Sequence, residues 1–167
     1  MSKRNNVYTQ YQKDLIYFTW YKKVCNDYLK IFNSSIKGET MSRAAYKSYK
    51  KYKVVVPPEL ALSMCQLETS CGTNTTYKNN PFNIYEYDTG HLKSKKRFKS
   101  QKEGITAYYM IITRDYLLHQ SVHKFVKTIK NKHGKRYASD KRYSLNLRKQ
   151  IKYVKRWIYK RKSKSSK

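Results

Sequence analysis

Acidic residues are scarce in this chain: 10 Asp and Glu stand against 38 Lys and Arg in 167 residues, for a formal net charge of +28. So large an imbalance predicts association with a polyanion, and nucleic acid, teichoic acid, lipopolysaccharide and acidic lipid all qualify. Abundant Lys, Tyr, Asn and Ile also fit the drift of an A+T-rich genome, so charge alone does not name the partner. Long apolar runs are absent too. Nothing approaches the ~18 consecutive apolar residues of a membrane span, and the start, MSKRNNVYTQYQKDL, lacks the apolar segment of a secretory signal. The expectation is a chain with no transmembrane segment and no signal peptide, made in a cytoplasm and leaving by lysis, a partner pore or a particle. Cysteine is limited to Cys25, Cys65 and Cys71, an odd number without metal-ligand or redox spacing. On one helix Cys65 and Cys71 would point roughly 120° apart, so free thiols are expected. His119 and His123 form an i, i+4 pair with only Asp115 near by in sequence, so no metal and no cofactor is expected. There is no internal repeat and no second set of hydrophobic segments, which makes one domain the default.

Against that acid-poor background Glu68 stands out. It lies in PPELALSMCQLETSCGT, where Leu60, Met64, Leu67 and Cys71 form one helical stripe with Glu68 at its flank. Pro57 and Pro58 suit a helix start and Gly72 suits its C′ position. Glu68 then sits half-buried in the last turn, near the negative end of the helix dipole. Apolar surroundings and that dipole both disfavour a carboxylate, so the expected side chain keeps a proton to donate, as a general acid must. The bland alternative is a boundary glutamate whose methylenes pack while its head meets water.

Upstream, Val7, Tyr11, Leu15, Phe18, Tyr21, Cys25, Tyr28 and Phe32 recur every three or four residues, predicting one long amphipathic helix or two joined near residue 20. A second helix is expected from about Ser42 to Tyr52. From Thr73 to about Phe98 the composition shifts to Asn, Thr, Tyr, Gly and Lys with Pro81 and Gly90, which reads as a loop carrying at most a short hairpin around Asp88, Thr89 and Gly90. Helical spacing returns after Ser100 and again at Val122, Phe125, Val126 and Ile129. After a break near Gly134, Asp140 suits the N-cap of a last helix with Tyr143, Leu147, Ile151, Val154 and Ile158 on one face. From Lys141 onward the chain is basic without a single acid, and the final RKSKSSK has too little apolar content to pack. The class is mainly α, with a long irregular segment beside Glu68 where a cleft would form.

Four segments in order carry a resemblance. VVVPPELALSMCQLETSCGTN resembles the catalytic helix of the N-acetylglucosaminidases of glycoside hydrolase family 73 and their Bax-like relatives, within the lysozyme-like group. NNPFNI resembles that family's Asn-Asn-Leu-Phe-Gly-Ile stretch, FKSQKEGITAYY its next helix opening, and RYASDKRYSLNLRKQI its Tyr-Ala-Thr-Asp segment followed by a tyrosine and a leucine-rich helix. Three positions depart from the pattern: Cys71 stands for tryptophan, Pro81 for leucine and Asn83 for glycine.

The resemblance implies a lysozyme-like helical domain with a short β-hairpin or loop lobe beside the active-site cleft. It implies Glu68 as catalytic acid and Tyr137 as a tyrosine lining the site. Glycoside cleavage commonly uses a second carboxylate, about 6.5–9.5 Å away for inversion or about 5–5.5 Å for retention. Glu86 and Asp88 are the acids of the lobe and the candidates, unless the substrate's own N-acetyl group serves as nucleophile. Asn80, Phe82, Tyr85 and Tyr87 are the candidate substrate-binding residues, the rings offering faces for sugars. The expected domain is residues 1–158, with N-terminal helices over 1–52 and a catalytic core over 53–158, followed by a basic disordered tail over 159–167.

The implied function is a peptidoglycan hydrolase of the endo-N-acetylglucosaminidase type, acting as a phage lysin or virion-associated lysin. Its partners would be bacterial peptidoglycan and anionic cell-envelope polymers. It would be made in the host cytoplasm and meet the wall after lysis-type release or within a virion. The rival is a non-enzymatic basic protein, packaged with other virion proteins or nucleic acid on a degenerate lysozyme-like scaffold. A membrane-disrupting C-terminal helix is a third possibility.

Overall fold

The computed structural model describes residues 8–87 and 92–164. Its elements are α1 (Gln10–Lys30), α2 (Gly38–Tyr52), α3 (Pro58–Thr69), strands β1 (Tyr85–Tyr87) and β2 (Leu92–Lys95), α4 (Gln101–Ile111), a π-helical segment (Ile112–Leu117), α5 (Val122–Thr128) and α6 (Tyr143–Lys164). The chain is mainly helical, consistent with a lysozyme-like helical domain, and the hairpin is a minor addition. The N-terminal periodicity resolves as one helix, opened by a capping box in which Thr9 and Gln12 satisfy each other's backbone N–H groups. It stops where Asn33 turns left-handed (φ 51°).

Helix α2 begins at Gly38, four residues earlier than its periodicity predicts, because Gly38 lies directly on α1. A Cβ there would come within 2.4 Å of the Asn26 backbone nitrogen. The Asn26 side chain also accepts from the Gly38 N–H at 2.7 Å. Below this pair runs α3, which is buried on every side rather than along one stripe: Leu60, Ala61, Leu62, Ser63, Met64 and Cys65 are all inaccessible, while Leu67, expected inside, is exposed. An amphipathic reading fails here because α1 and α6 both pack on α3, which leaves the stretch from Leu60 to Cys65 no face for solvent. Each fully buried Leu or Met contributes about 1.5–3 kcal/mol of transfer free energy. Pro58 opens the helix at a position where its missing N–H costs no hydrogen bond.

The core is rich in tyrosine, and its hydroxyls are paired. Tyr21 and Tyr109 share a hydrogen bond of 2.7 Å, and Tyr21 lies 3.1 Å from the Val56 carbonyl. The Tyr108 hydroxyl donates to the Met64 sulfur at 3.2 Å. Burial pushes the pKa of Tyr21, Tyr108 and Tyr109 well above 10.0 and those of the Cys25 and Cys65 thiols well above 9.0. All three cysteines are free and buried. This agrees with the expectation of free thiols, and the Cys65 thiol donates to the Pro81 carbonyl at 3.8 Å. Cys71 lies past the helix end in left-handed backbone, its N–H donating to the Cys65 carbonyl at 3.1 Å.

Helix α6 carries the predicted inner face, with Tyr143, Leu147, Val154 and Ile158 buried and Ile151 half-buried. It runs to Lys164, so residues 159–164, expected in the tail, are helical, and 165–167 lie outside the described residues. Arg161 explains part of the extension: its guanidinium stacks on Trp157 at 4.8 Å and pairs with Asp27 on α1 at 3.2 Å. Asp140 lies short of a true N-cap. Its carboxylate accepts the Arg142 N–H at 2.8 Å, forming a turn just ahead of the helix.

Candidate active site

Helix α3 ends abruptly, and that ending places Glu68. Ser70, Cys71 and Gly72 take positive φ in succession (50°, 58° and 83°), so the helix closes before Gly72 can act as its C′ residue. Ser70 N–H donates to the Gln66 carbonyl at 2.9 Å and Cys71 N–H to the Cys65 carbonyl at 3.1 Å. Glu68 therefore occupies the last turn, half-buried, as its sequence position predicts.

Its neighbour Thr69 locks this turn to the following loop. The buried Thr69 hydroxyl donates to the Pro81 carbonyl at 2.6 Å and accepts the Gly72 N–H at 2.8 Å. Helix α4 presses on the loop from the far side through Gly104, where a Cβ would stand 2.0 Å from the Asn79 carbonyl oxygen. That close approach is why a glycine is present inside a helix despite its cost of about 1 kcal/mol. Ser100 caps α4 by accepting the Glu103 N–H.

Two side chains meet the Glu68 carboxyl from opposite parts of the sequence. The Tyr143 hydroxyl, from the first turn of α6, donates to Oε1 at 2.7 Å. The Asn83 amide donates to Oε2 at 3.3 Å and to the main-chain carbonyl of Glu68 at 2.7 Å. Burial and the adjacent Glu68 push Tyr143 well above 10.0, so it stays a neutral donor at any working pH. These donors favour the charged carboxylate, whereas partial burial and the helix C-terminus favour its protonated form. Among the described residues Asp27 pairs with Lys23 and Arg161, Glu39 with Arg43, Glu59 with Lys155 and Asp115 with Arg114.

The remaining predicted residues fall in several places. Tyr137 is half-buried and reaches the site through rings, packing 6.0 Å from Tyr143 and 5.3 Å from Tyr116. Asn80 is buried and turned inward. Its amide donates to the Ile84 and Lys96 carbonyls and its Oδ1 accepts the Ile84 N–H, tying both hairpin strands together at their base. Phe82 is likewise interior, stacked on Tyr108 with ring centroids 3.7 Å apart. Tyr85 is exposed on β1. Strands β1 and β2 pair antiparallel with an irregularity between Tyr85 and Tyr87. Glu86 and Tyr87 lie on β1, but their side chains, and the whole of Asp88, lie outside the described residues. A separate concavity of about 240 Å³ opens between α1 and α2, lined by Phe18, Tyr46, Asp14, Glu39 and Arg43 among others, and includes none of these residues.

Sequence reasoning did not single out Tyr143 or Asn83 as site residues. Tyr143 was legible as a residue of the inner face of α6, and Asn83 as a departure from glycine, but neither spacing reveals that both end on Glu68.

The model for the glucosaminidase family, described as mannosyl-glycoprotein endo-beta-N-acetylglucosaminidase, matches residues 42–156. The chain belongs to that family. It is a glycoside hydrolase of the endo-β-N-acetylglucosaminidase type, and peptidoglycan fits the family as substrate. No curated protein matches the chain. The matched span covers α3, the lobe, α4, α5 and most of α6, and so includes Glu68, Asn83 and Tyr143. No helix among the described residues is long and apolar enough to cross a membrane.

Proposed function

We propose that this glucosaminidase cleaves the β-1,4 bond on the N-acetylglucosaminyl side of the peptidoglycan glycan strand, with Glu68 as general acid. The observation that carries the reading is the 2.7 Å hydrogen bond from the buried Tyr143 hydroxyl to Glu68 Oε1, which fixes one carboxyl oxygen in a half-buried helix end. In the reaction Glu68 gives its proton to the glycosidic oxygen as the bond to C1 lengthens, and Tyr143 steadies the carboxylate left behind. Tyr137 backs Tyr143, and Tyr85 offers an exposed ring to a sugar face. Glu86 and Asp88 remain the candidates for the second group, on the lobe that Asn80 ties down. The N-acetyl group of the substrate is the alternative nucleophile.

The catalytic unit is the domain over 1–158, and the strongly basic exterior suits a lysin that works on an anionic envelope, as a phage lysin or within a virion. Helix α6 displays Lys149, Lys152, Arg156 and Lys160 on its exposed side, with Tyr153 and Tyr159 between them.

Turbidity loss of purified peptidoglycan tests the proposal. The parent should clear the suspension and a folded Glu68→Gln variant should not. The new reducing ends should be N-acetylglucosamine. Reducing N-acetylmuramic acid would make the enzyme a muramidase, and an inert parent that binds DNA tightly would favour the packaged basic protein.

A further inference from the structure

Asn83 carries two costs that glycine would not. Its backbone is left-handed (φ 50°), a conformation disfavoured for residues with a Cβ, though Asn tolerates it better than most. Its side-chain Oδ1 is buried and has no hydrogen-bond partner among the described residues, so it has lost water without replacement. Glycine is the residue of the resembling pattern at this position and would remove both costs. The amide that bears the orphaned oxygen, however, has its nitrogen on Glu68 twice, at 2.7 Å from the main-chain carbonyl and 3.3 Å from Oε2. Turning the amide over to pair Oδ1 is not a remedy, because it would set an oxygen against the Glu68 carbonyl and carboxylate. Local strain and an unpaired polar atom beside a reactive group point to a functional constraint.

We propose that Asn83 is a positioning residue: its amide chelates the carbonyl and carboxyl of Glu68, fixes the rotamer of the acid, and sets the upper end of the pH range in which it can give up its proton. This rests on Glu68 being the general acid. A donor on a carboxylate lowers its pKa, so the amide opposes partial burial and the helix terminus, which raise it. The rate falls as pH rises through that pKa, because an ionised acid has no proton to deliver. Removing the donor therefore moves the alkaline limb of the profile upward.

The test compares the full-length parent, Asn83→Gly, Asn83→Asp and Glu68→Gln on purified peptidoglycan across pH, with a melting curve for each. Asn83→Gly should melt at or above the parent, since it relieves the left-handed strain and deletes the orphaned oxygen. Its kcat should nonetheless fall about tenfold, the scale of one hydrogen bond to a charged group, with KM little changed and the alkaline limb moved to higher pH. Asn83→Asp places a like charge against Glu68 and should move the limb further in the same direction. An Asn83→Gly variant with parental kcat and parental pH profile, beside an inactive Glu68→Gln, overturns the proposal and leaves the acid in place. A lowered Tm with an unshifted profile makes Asn83 a structural residue and also overturns it. Full activity in Glu68→Gln instead removes the acid assignment on which both readings stand.

Discussion

The end of α3 and the outer face of α6 are built on opposite principles. At the end of α3 a few side chains have one arrangement each: Thr69 ties the turn to Pro81, Gly104 admits α4 to the loop, and Tyr143 and Asn83 meet on Glu68. On α6, Lys149, Lys152, Arg156 and Lys160 stand exposed at helical spacing. The first region depends on identity and the second on number. Single substitutions should therefore be decisive around the end of α3 and nearly silent on the outer face of α6.

Glu68→Gln should produce the largest effect. General acid catalysis is typically worth about 10²–10⁴-fold, so wall digestion should fall by at least the lower figure while the melting temperature stays close to the parent's. Residual activity within threefold would mean that proton delivery is as distributed as the basic charge, and the contrast would fail at its strongest point.

Tyr143→Phe comes next. It leaves the ring against Tyr137 and deletes only the hydroxyl on Oε1. A hydrogen bond to a charged group is worth about 1.5–3 kcal/mol, so kcat should drop about 10–100-fold and the alkaline limb should shift to higher pH, as it should for loss of Asn83. Unchanged kcat would show that the loop amide alone holds the acid.

The interior and the exterior should also part company in alkali. Tyr21, Tyr108, Tyr109 and Tyr143 have folded pKa values above the ordinary 10.0, and Cys25 and Cys65 above 9.0, chiefly because burial penalises their charged forms. A group whose folded pKa is raised gives stability that is intact below its unfolded pKa and lost as pH rises above it. The urea midpoint should be flat up to about pH 9 with respect to these groups and fall progressively beyond pH 10. A midpoint that held level to pH 11 would mean that the tyrosine core opens to water without unfolding.

Much of this fold was legible because period and punctuation agree. The spacing of Tyr21, Cys25 and Tyr28 gives α1, Pro57 and Pro58 give the start of α3, and Leu147, Val154 and Ile158 give the inner face of α6. What was not legible depends on tertiary packing. The end of α3 falls at Thr69 because Ser70 and Cys71, neither of them glycine, adopt left-handed backbone, and tertiary pairing with Pro81 holds them there. Leu67 is exposed although it sits on the apolar stripe, because the neighbours that enclose α3 cover Leu60 to Cys65 and not all of its last turn, which no local pattern reveals. Within the site Glu68 was legible from its surroundings, because an acid is conspicuous in an apolar helix of an acid-poor chain. Tyr143 was visible only as a core ring, since the destination of its hydroxyl depends on α6 packing against α3. Asn80 and Phe82 carry the motif match yet face the interior, where they shape the lobe that a substrate would meet.

The smallest effects should come from α6. One Lys→Gln change at Lys149, Lys152 or Lys160, or Arg156→Gln, should leave stability within about 0.5 kcal/mol, as exposed substitutions usually do, and binding to isolated cell walls unaltered within error. All four together should weaken wall binding several-fold in low salt, because many exposed charges add up to one field. The difference should vanish as salt is raised, since the screening length shrinks from about 30 Å at 0.01 M to about 3 Å at 1 M. Turnover of a short soluble glycan, which has no polyanion to hold, should not change in any of these variants. Loss of binding from a single substitution, or a quadruple variant as weak at 1 M salt as at 0.01 M, would show that α6 recognises a defined ligand by contact, and the outer face would then belong with the end of α3.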